Sequence, residues 1–459
     1  MIPLQASVIA GIVGGELHGK DFLVTQPPVL NSAQAIEGSL FLALQGENVD
    51  GHDFVSDAFA RGAVVALTSK AVEGNYILVE DVTQALGVLA HFVRRELKDL
   101  SVIGITGSQG KTTTKELLAY VLSQVAETVA PVGNFNNHLG APISLLRCTE
   151  ATKFCIVEMG ARHLGDIARL ASIAEPNIGV VLKVGTAHVG EFGSVELIAQ
   201  TKSELISSLK DDAVAILGNY DTYTPQMAKL HKGKSVLFGE NNNCAVRATD
   251  IEFREGRAHF DLVTPEGRSA VGLRIIGLHQ VANALAVAAI ATELGLSLDQ
   301  IASGLSTAES TAKWRMEIVE LPHRLLINDS YNASPEAMAA ALSTLKLFAQ
   351  ERGGQSWAFL GKMHELGESS QSDHAAIGTL AQELGIDHLV CVDAPDYAAS
   401  IGKGSSISTH ICADKSEALE IAENINEGDV LLIKASRSEK LEELAESISH
   451  LWRNGVGEE

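Results

Sequence analysis

The chain has 459 residues, of which 46% are hydrophobic and 5% aromatic, and its formal net charge is -22. This length exceeds what one hydrophobic core usually organises, so we expect two to four domains, and the composition excludes a disordered chain. The acidic balance argues against a nucleic-acid partner, because non-specific binding needs Lys and Arg to displace counterions.

The cysteine usage and the apolar runs indicate the compartment. Five cysteines are scattered along the chain without a CxxC pair, which is typical of reduced thiols rather than a disulfide framework. No apolar run approaches membrane-spanning length, and no basic segment precedes the short apolar stretch at 7–14. We therefore expect a cytoplasmic protein with no signal peptide and no membrane insertion.

Apolar runs separated by turn residues predict the elements in chain order. In the first part, the pattern predicts strands at 39–44 and 63–67, a helix over 82–97 and a junction at Lys98-Asp99. In the second, it predicts a strand at 101–106, a helix over 111–125, strands at 154–158, 178–184 and 213–217, a strand-rich stretch at 235–276 and a helix over 281–294. In the third, it predicts strands at 324–329, 357–360, 388–392 and 430–434 with helices between them.

This alternation of strands and helices is typical of βαβ units with parallel sheets. We predict an α/β protein of three domains, covering residues 1–98, 99–312 and 313–459. The central one should be a parallel sheet like that of phosphate-loop ATPases, and the last should be a Rossmann-like, doubly wound sheet.

The strongest local signal is Thr106-Gly-Ser-Gln-Gly-Lys-Thr-Thr-Thr114, which stands between a predicted strand and a predicted helix. In such a turn the glycines let the backbone approach phosphate, Lys111 can reach the terminal phosphates, and the Thr112 hydroxyl can bind Mg²⁺. The loop is shorter than the standard form, because Ile105 stands where another glycine is usual. By itself it predicts nucleoside triphosphate binding through Gly107, Ser108, Gln109, Gly110, Lys111, Thr112 and Thr113.

Three other residues could surround the terminal phosphate. Glu158 ends one predicted strand and His188 follows another, so both should face the crevice where ligands collect in parallel sheets. A carboxylate and an imidazole suit a second divalent ion. Lys202 lies in a predicted helix, and its spacing alone favours an ordinary exposed lysine. Taken singly, Glu158 and His188 could equally be structural residues.

The segments GITGSQGKTTTKE, VEMGA, GTAHVGEFGS and ELIAQTKSE, in this order and spacing, resemble the Mur ligases, whose relatives include folylpolyglutamate synthetase. The resemblance covers nearly the whole chain. It implies an ATP-dependent ligase with two Mg²⁺ ions. It also implies that Lys202 is carbamylated by CO₂ and holds the second ion with Glu158 and His188. A neutral amine that adds CO₂ becomes an anionic oxygen ligand, which Mg²⁺ prefers.

The resemblance also implies substrate contacts in the first two domains. Residues 38–54 resemble the UDP-binding N-terminal domain of the two Mur ligases that act latest, and Ser32 is the substrate-binding residue implied there. Residues 134–142 resemble a family segment near Mg-ATP and the substrate, which implies roles for Asn136 and Asn137. Asn283 would lie near the adenine. A turn rich in Asn and Gly, or an Asn that caps a buried backbone group, would explain the same residues without a ligand.

The third domain indicates the branch of the family. Residues 329–335 and 360–367 resemble the Mur ligases that add D-alanyl-D-alanine to UDP-N-acetylmuramoyl-tripeptide, and the Asp-Asn-Pro-Arg signature of the preceding enzyme is absent. This implies that Tyr331 and Asn332 contact substrate and that Arg315 and Asp329 contact ATP. A strand-end turn and a surface charge are the structural alternatives. Whether the third residue of the acceptor peptide is lysine or a diamino acid stays open, and we expect a monomer.

Two rival functions remain at this point. One is another Mur-type ligase that adds a single amino acid, and the other is a catalytically silent nucleotide-binding relative. Five positions also depart from the family pattern without altering Lys111, Glu158, His188 or Lys202; they are Asn31, Ala33, Gln280, Lys362 and Ala435.

Overall fold

The computed structural model describes residues 1–46, 49–133, 135–187, 189–309, 313–321, 323–402 and 405–454. Three main sheets follow one another along the chain, with helices between their strands. The predicted α/β class is confirmed, and the five cysteines are free and buried.

The N-terminal sheet has four strands in the order β2-β6-β5-β4. The elements of this part are β1 (Leu4–Gln5), α1 (Ala6–Val13), β2 (Glu16–His18), β3 (Leu23–Val24), β4 (Ser39–Leu42), α2 (Val55–Ala60), β5 (Ala63–Thr68), β6 (Tyr76–Leu78) and α3 (Val82–Glu96). Strands β4, β5 and β6 are parallel, β2 is antiparallel to β6, and β1 pairs with β3 in a separate small sheet.

Helix α3 joins this sheet to the next part of the chain. It begins where the Asp81 carboxylate accepts hydrogen bonds from the backbone of Thr83 and Gln84, which satisfies N–H groups that have no partner within the helix. Near its end, Arg94 donates to the Ala174 carbonyl at 3.0 Å. One hydrophobic core runs from Ala6 and Ile9 through α3 to residues of the central sheet, so the first two parts of the chain are packed together.

The central sheet has nine strands in the order β15-β14-β13-β12-β11-β10-β7-β9-β8. Its elements are β7 (Ser101–Thr106), α4 (Lys111–Ser123), β8 (Thr128–Val129), α5 (Gly140–Leu146), β9 (Phe154–Glu158), α6 (Asp166–Ala174), β10 (Ile178–Val181), α7 (Val189–Phe192), α8 (Val195–Ser207), β11 (Val214–Gly218), β12 (Lys234–Gly239), β13 (Val246–Arg254), β14 (Arg257–Thr264), β15 (Gly267–Ile276), α9 (Gln280–Glu293) and α10 (Leu298–Thr307). Strands β7 to β13 are joined by parallel pairings, whereas β14 and β15 pair antiparallel with their neighbours at one edge of the sheet.

The third sheet has six strands in the order β16-β17-β21-β18-β19-β20. Its elements are β16 (Glu317–Leu321), β17 (Arg324–Asn328), α11 (Pro335–Arg352), β18 (Ser356–Leu360), α12 (Ser370–Glu383), β19 (His388–Val392), β20 (Ser408–Cys412), α13 (Lys415–Ala422), β21 (Val430–Lys434) and α14 (Glu442–Asn454). All pairings are parallel except that of β16 with β17. Separate hydrophobic clusters form around α11 and around α14, as expected for a sheet covered on both faces.

The buried strands of the prediction are confirmed, with one difference that matters for the site. The strand predicted over 178–184 ends at Val181. Beyond it the chain turns towards the phosphate loop, where the Lys183 carbonyl accepts a hydrogen bond from the backbone of Ser108 at 2.9 Å. The domain limits at 98 and 312 stay predictions.

Candidate active site

The segment from Gly107 to Gly110 connects β7 to α4 at the carboxyl edge of the central sheet. Gly110 has φ 82°, in the left-handed region that favours glycine, and a Cβ there would lie 2.3 Å from Asn283 Oδ1. The backbone therefore reaches the start of α4 only because this position has no side chain. The result is a strand, a tight turn and a helix N-terminus, an arrangement that binds phosphate groups.

Lys111 lies at the first position of α4. Its amine donates to the Gly107 carbonyl at 2.6 Å and so folds back onto the loop. Burial lowers its pKa, the carboxylate of Glu158 opposes that shift, and the charge of Arg315 adds to it. A half-buried cation that contacts a neutral carbonyl is well suited to exchange that contact for phosphate oxygens.

Glu158 ends β9 and is only 1% exposed. Its carboxylate lies 3.3 Å from the Thr112 hydroxyl, and the amide of Asn136 donates to it at 3.0 Å. The structure therefore brings together the phosphate-loop threonine, the predicted carboxylate ligand and one of the two predicted asparagines. These are oxygen-rich groups of the kind that Mg²⁺ prefers.

Lys202 is not the exposed helix lysine that its spacing favours. It lies in α8 and is 7% exposed. Burial and then the positive charge of Lys111 lower its pKa to about 7. A substantial fraction of its amine is therefore neutral near pH 7, and a neutral amine is what carbamylation by CO₂ requires.

Sequence reasoning missed Lys115, which lies one turn after Lys111 and is 2% exposed. Its amine donates to the carbonyls of Pro131 and Gly133 at 3.2 and 2.7 Å. Burial lowers its pKa, and Glu158 opposes that shift. Lys115 thus supports the segment that leads to Asn136. Only its position four residues after Lys111, on the same helix face, could have indicated this.

The third domain contributes Arg315 and Tyr331 to the same region. The Arg315 guanidinium lies 3.8 Å from the centre of the Tyr331 ring, and it donates to the Thr112 hydroxyl at 3.4 Å. A cation stacked on an aromatic ring keeps a fixed orientation. Arg315 therefore lies next to the phosphate loop, where a phosphate contact is possible.

The Asp329 carboxylate has hydrogen-bond partners within the protein. It accepts from the Lys434 amine at 2.5 Å and from the backbone of Met316 at 3.0 Å. Lys434 is buried and also donates to the Asn332 carbonyl at 2.9 Å. This ion pair fixes the turn after β17, on which Tyr331 and Asn332 stand. It also gives Asp329 a structural role, whereas its predicted contact with ATP stays a prediction.

A further contact between domains was also missed. The Glu336 carboxylate, at the start of α11, accepts hydrogen bonds from Gln109 of the phosphate loop and from Thr186. Gln109 also donates to the Ser334 hydroxyl at 2.9 Å. A carboxylate just after the predicted strand-end turn was the only signal for this contact in the sequence.

The amide side chains of the remaining predicted residues have protein partners. Asn283 accepts from the Thr114 hydroxyl at 3.3 Å and donates to Gln280 at 2.7 Å, so it lies beside the phosphate loop. Asn137 accepts from the backbone at the start of α5, and Asn332 accepts from Ala333. The backbone contacts of Asn137 and Asn332 match the structural alternative of a turn, whereas Asn283 contacts two side chains rather than a backbone group. The ligand roles of all three residues stay predictions.

Ser32 lies apart from these residues in sequence and fold, on a short 3-10 turn of the first domain, and is buried. Its side chain hydrogen-bonds to Asp57 and thereby lowers the pKa of that carboxyl. Asn31 caps the turn by accepting from the Ala33 backbone at 2.9 Å. The substrate contact of Ser32 stays a prediction.

His188 and Asn134 lie outside the described residues. Within the part of the chain that is described, no group of three or more His, Cys, Asp and Glu side chains is arranged to hold a metal. Of the predicted metal ligands, Thr112 and Lys202 are not residues of these four types, and His188 is not described. Glu158 is therefore the one predicted ligand that such a group could include.

Each remaining departure from the family pattern has a local partner. Lys362 pairs with Asp393 at 2.5 Å on the surface. Ala435 is fully buried beside Gly361, and Gln280 accepts from Asn283. These substitutions are therefore accommodated within the protein.

Comparison with known proteins identifies the class to which this fold and site belong. Three family models match successive parts of the chain: "Mur ligase family, catalytic domain" over residues 29–95, "Mur ligase middle domain" over 105–291 and "Mur ligase, glutamate ligase domain" over 314–437. The chain belongs to the Mur ligase family.

Within this family the similarity extends over whole chains of one named group. The UDP-N-acetylmuramoyl-tripeptide–D-alanyl-D-alanine ligase of Mycobacterium tuberculosis is 38% identical over 98% of both chains. That of Escherichia coli is 34% identical over 98% of this chain and 99% of its own. These full-length matches place the chain with the ATP-dependent D-alanyl-D-alanine-adding ligases.

Solved structures agree with this placement. MurF from Acinetobacter baumannii superposes with a TM-score of 0.89 at 33% identity, covering 98% of this chain and 99% of its own. MurF from Thermotoga maritima, solved with ADP, gives 0.82 at 30% identity over 94% and 99%. Among the described residues of this chain, no helix is long and apolar enough to cross a membrane.

Proposed function

We infer that this chain joins D-alanyl-D-alanine to UDP-N-acetylmuramoyl-tripeptide, using ATP, in the synthesis of peptidoglycan precursors. The observation on which this rests is the full-length similarity, at 34–38% identity, to ligases named for that reaction. The geometry is consistent with it, because the phosphate loop, Glu158, Lys202 and a third-domain arginine meet at one edge of the central sheet.

The reaction begins with activation of the acceptor. An oxygen of the terminal carboxylate of the tripeptide attacks the γ-phosphorus of ATP. The bond from that phosphorus to ADP breaks, which leaves an acyl phosphate. Lys111 exchanges its contact with the Gly107 carbonyl for phosphate oxygens, and Arg315 adds a second positive charge near Thr112. Both offset negative charge on the transferring group.

Amide formation follows. The amine of D-alanyl-D-alanine attacks the acyl carbon, the C–O bond to phosphate breaks with its electron pair on phosphate, and the nitrogen loses a proton. No covalent bond to the enzyme is required, so no residue is assigned as a nucleophile. The third domain, which bears Tyr331 and Asn332, holds the dipeptide and excludes water from the acyl phosphate.

We propose that the site takes two Mg²⁺ ions. Thr112 would bind one, and Glu158, His188 and Lys202 in its carbamylated form would bind the other. The buried Glu158 next to the Thr112 hydroxyl and the lowered pKa of Lys202 support this ligand set. Bound there, the ions would supply positive charge to the phosphoryl oxygens.

The remaining assignments complete the proposal. Asn136, Asn137 and Asn283 serve the nucleotide region, and Ser32 serves the UDP end of the acceptor. The five free, buried cysteines support a reducing, cytoplasmic location. We propose a monomer.

Measurement of phosphate release from ATP tests the function. The assay contains UDP-N-acetylmuramoyl-tripeptide, prepared with lysine or with a diamino acid at its third position, and either D-alanyl-D-alanine or single amino acids. Turnover with the dipeptide alone is the expected result. Turnover with a single amino acid would instead support another Mur-type ligase. ATP hydrolysis at a rate that does not depend on either substrate would support the catalytically silent nucleotide-binding relative.

A further inference from the structure

The carboxylate of Glu336 forms a three-way contact between the third and central domains. Oε1 accepts from the Thr186 backbone at 2.7 Å and from the Thr186 hydroxyl at 2.9 Å. Oε2 accepts from Gln109 Nε2 at 3.1 Å. The neighbouring Ser334 hydroxyl accepts from the same Gln109 nitrogen at 2.9 Å. One third-domain side chain thus bonds to two separate loops of the central domain.

Both of those loops belong to the nucleotide site. Gln109 lies in the phosphate loop, one residue before Gly110, and Thr186 follows β10. The Thr186 segment is also contacted from the third domain further along, where the Gly190 backbone donates to the Glu365 carbonyl at 2.9 Å. The predicted metal ligand His188 lies between these two contacts in the sequence. The third domain therefore bonds to the chain on both sides of that position.

We propose that Glu336 is a positioning residue that couples the seating of the third domain to the arrangement of the phosphate loop and the Thr186 segment. This deepens the proposed function and rests on it. Hydrogen bonds to a carboxylate are roughly twice as strong as neutral ones, so one side chain can hold both loops. The amine substrate and the phosphoryl-transfer groups are then brought into place in one movement, and the acyl phosphate forms where water is excluded.

A simple structural role for Glu336 gives a different expectation. A glutamate in the first turn of a helix stabilises that helix through the macrodipole alone, without any contact to another domain. Its removal would then lower the stability of the third domain. It would not change how efficiently phosphate release is coupled to amide formation.

The test compares Glu336→Ala, Glu336→Gln and Glu351→Ala in the full-length chain. Glu351 is the matched control, because it stands on the same helix and accepts a hydrogen bond from the central-domain backbone of Gly256 at 3.1 Å, away from the phosphate loop. We expect Glu336→Ala to lower kcat by about 10- to 100-fold, the range for loss of hydrogen bonds to a charged group. Glu336→Gln, which keeps the volume and one acceptor oxygen, should lie between it and the wild type.

Two further readouts separate positioning from stability. The ratio of phosphate released to amide formed should rise in Glu336→Ala and stay at the wild-type value in Glu351→Ala. Small-angle scattering with ADP bound should show a more extended particle for Glu336→Ala than for the wild type. The scattering needs no turnover, so it distinguishes failure of this inference from failure of the proposed function, in which the wild type itself would show no dipeptide-dependent activity.

The inference is overturned if Glu336→Ala keeps the wild-type kcat, coupling ratio and scattering, whatever its unfolding temperature. It is also overturned if Glu351→Ala reproduces the same losses. The effect would then follow from loss of any hydrogen bond between the domains, and not from the contacts of Glu336 with the phosphate loop and Thr186. If Glu336→Ala does not fold, Glu336→Gln decides by the same readouts.

Discussion

The buried Lys202 of α8 lies close enough to Lys111 of the phosphate loop that the positive charge of Lys111 disfavours protonation of the Lys202 amine. Burial is the larger cause, and the charge of Lys111 the second, of the lowering of the Lys202 pKa to about 7. Lys202 can therefore become neutral near pH 7, which its proposed carbamylation requires.

The first prediction concerns pH and CO₂. Lys202 is protonated below pH 7 and neutral above it, and CO₂ adds only to the neutral amine, so the carbamylated fraction falls as pH falls through about 7. Wild-type turnover should decline in the same window when CO₂ is removed and recover with bicarbonate. The pH–rate profile measured with and without bicarbonate tests this, and identical profiles would remove the support for carbamylation.

Substitution of Lys202 tests the same group directly. Lys202→Arg keeps a positive charge but cannot form the carbamate, so turnover should fall by about 100-fold or more, as when a charge-stabilising group is lost. Lys210→Arg is the control, since Lys210 is an exposed lysine paired with Glu175. Bicarbonate should stimulate the control and have no effect on Lys202→Arg.

The second prediction distinguishes the role of Lys111 in turnover from the role of Lys115 in stability. Lys111→Ala should abolish turnover and leave the unfolding transition in place, because the hydrogen-bond partner of its amine among the described residues is a loop carbonyl. Lys115→Ala leaves two carbonyls without their donor and should cost about 1–3 kcal/mol of stability. Steady-state kinetics and urea unfolding of both variants test this; near-wild-type turnover of Lys111→Ala would refute its role.

The third prediction concerns the phosphate loop. Gly110→Ala places a methyl group 2.3 Å from Asn283 Oδ1 at φ 82°, so nucleotide binding should be lost together with about 1–3 kcal/mol of stability. Gly353→Ala is the comparison, because Gly353 has φ 71° with no atom within 4 Å of the added Cβ. It should cost about 1 kcal/mol and keep nucleotide affinity. Calorimetric titration with ADP measures the difference, and equal affinities would contradict the predicted clash.

The fourth prediction contrasts a buried with an exposed ion pair. Asp329→Asn leaves the 3% exposed Lys434 without its counterion and should destabilise the protein by about 3–5 kcal/mol. Lys362→Ala removes the exposed partner of Asp393 and should change stability by about 0–1 kcal/mol. Chemical unfolding measures both. A small effect of Asp329→Asn would show that the turn bearing Tyr331 does not depend on this pair.

Much of the fold could be predicted because the central strands are continuous apolar runs bounded by turn residues. Strands β7, β9, β19 and β21 lie at the predicted positions, since burial on both faces leaves a signal that needs no tertiary information. The two-residue edge strand β8 was missed, because it pairs with β9, a strand distant from it in the sequence. The edge strand β16 was also missed, although its antiparallel partner β17 follows it directly. The end of β10 was misplaced because contacts with the phosphate loop, rather than local propensity, turn the chain after Val181.

The sequence by itself determined the phosphate loop, because a strand, a Gly-rich turn and a helix are consecutive and act through their own backbone. It also determined the family, through motifs spread along the chain. Only the tertiary structure decided that Lys202 is buried beside Lys111, that Lys115 supports the Asn136 segment and that Glu336 bonds to Gln109 and Thr186. Burial and the approach of charges depend on packing between distant segments, and spacing along one chain contains no measure of either.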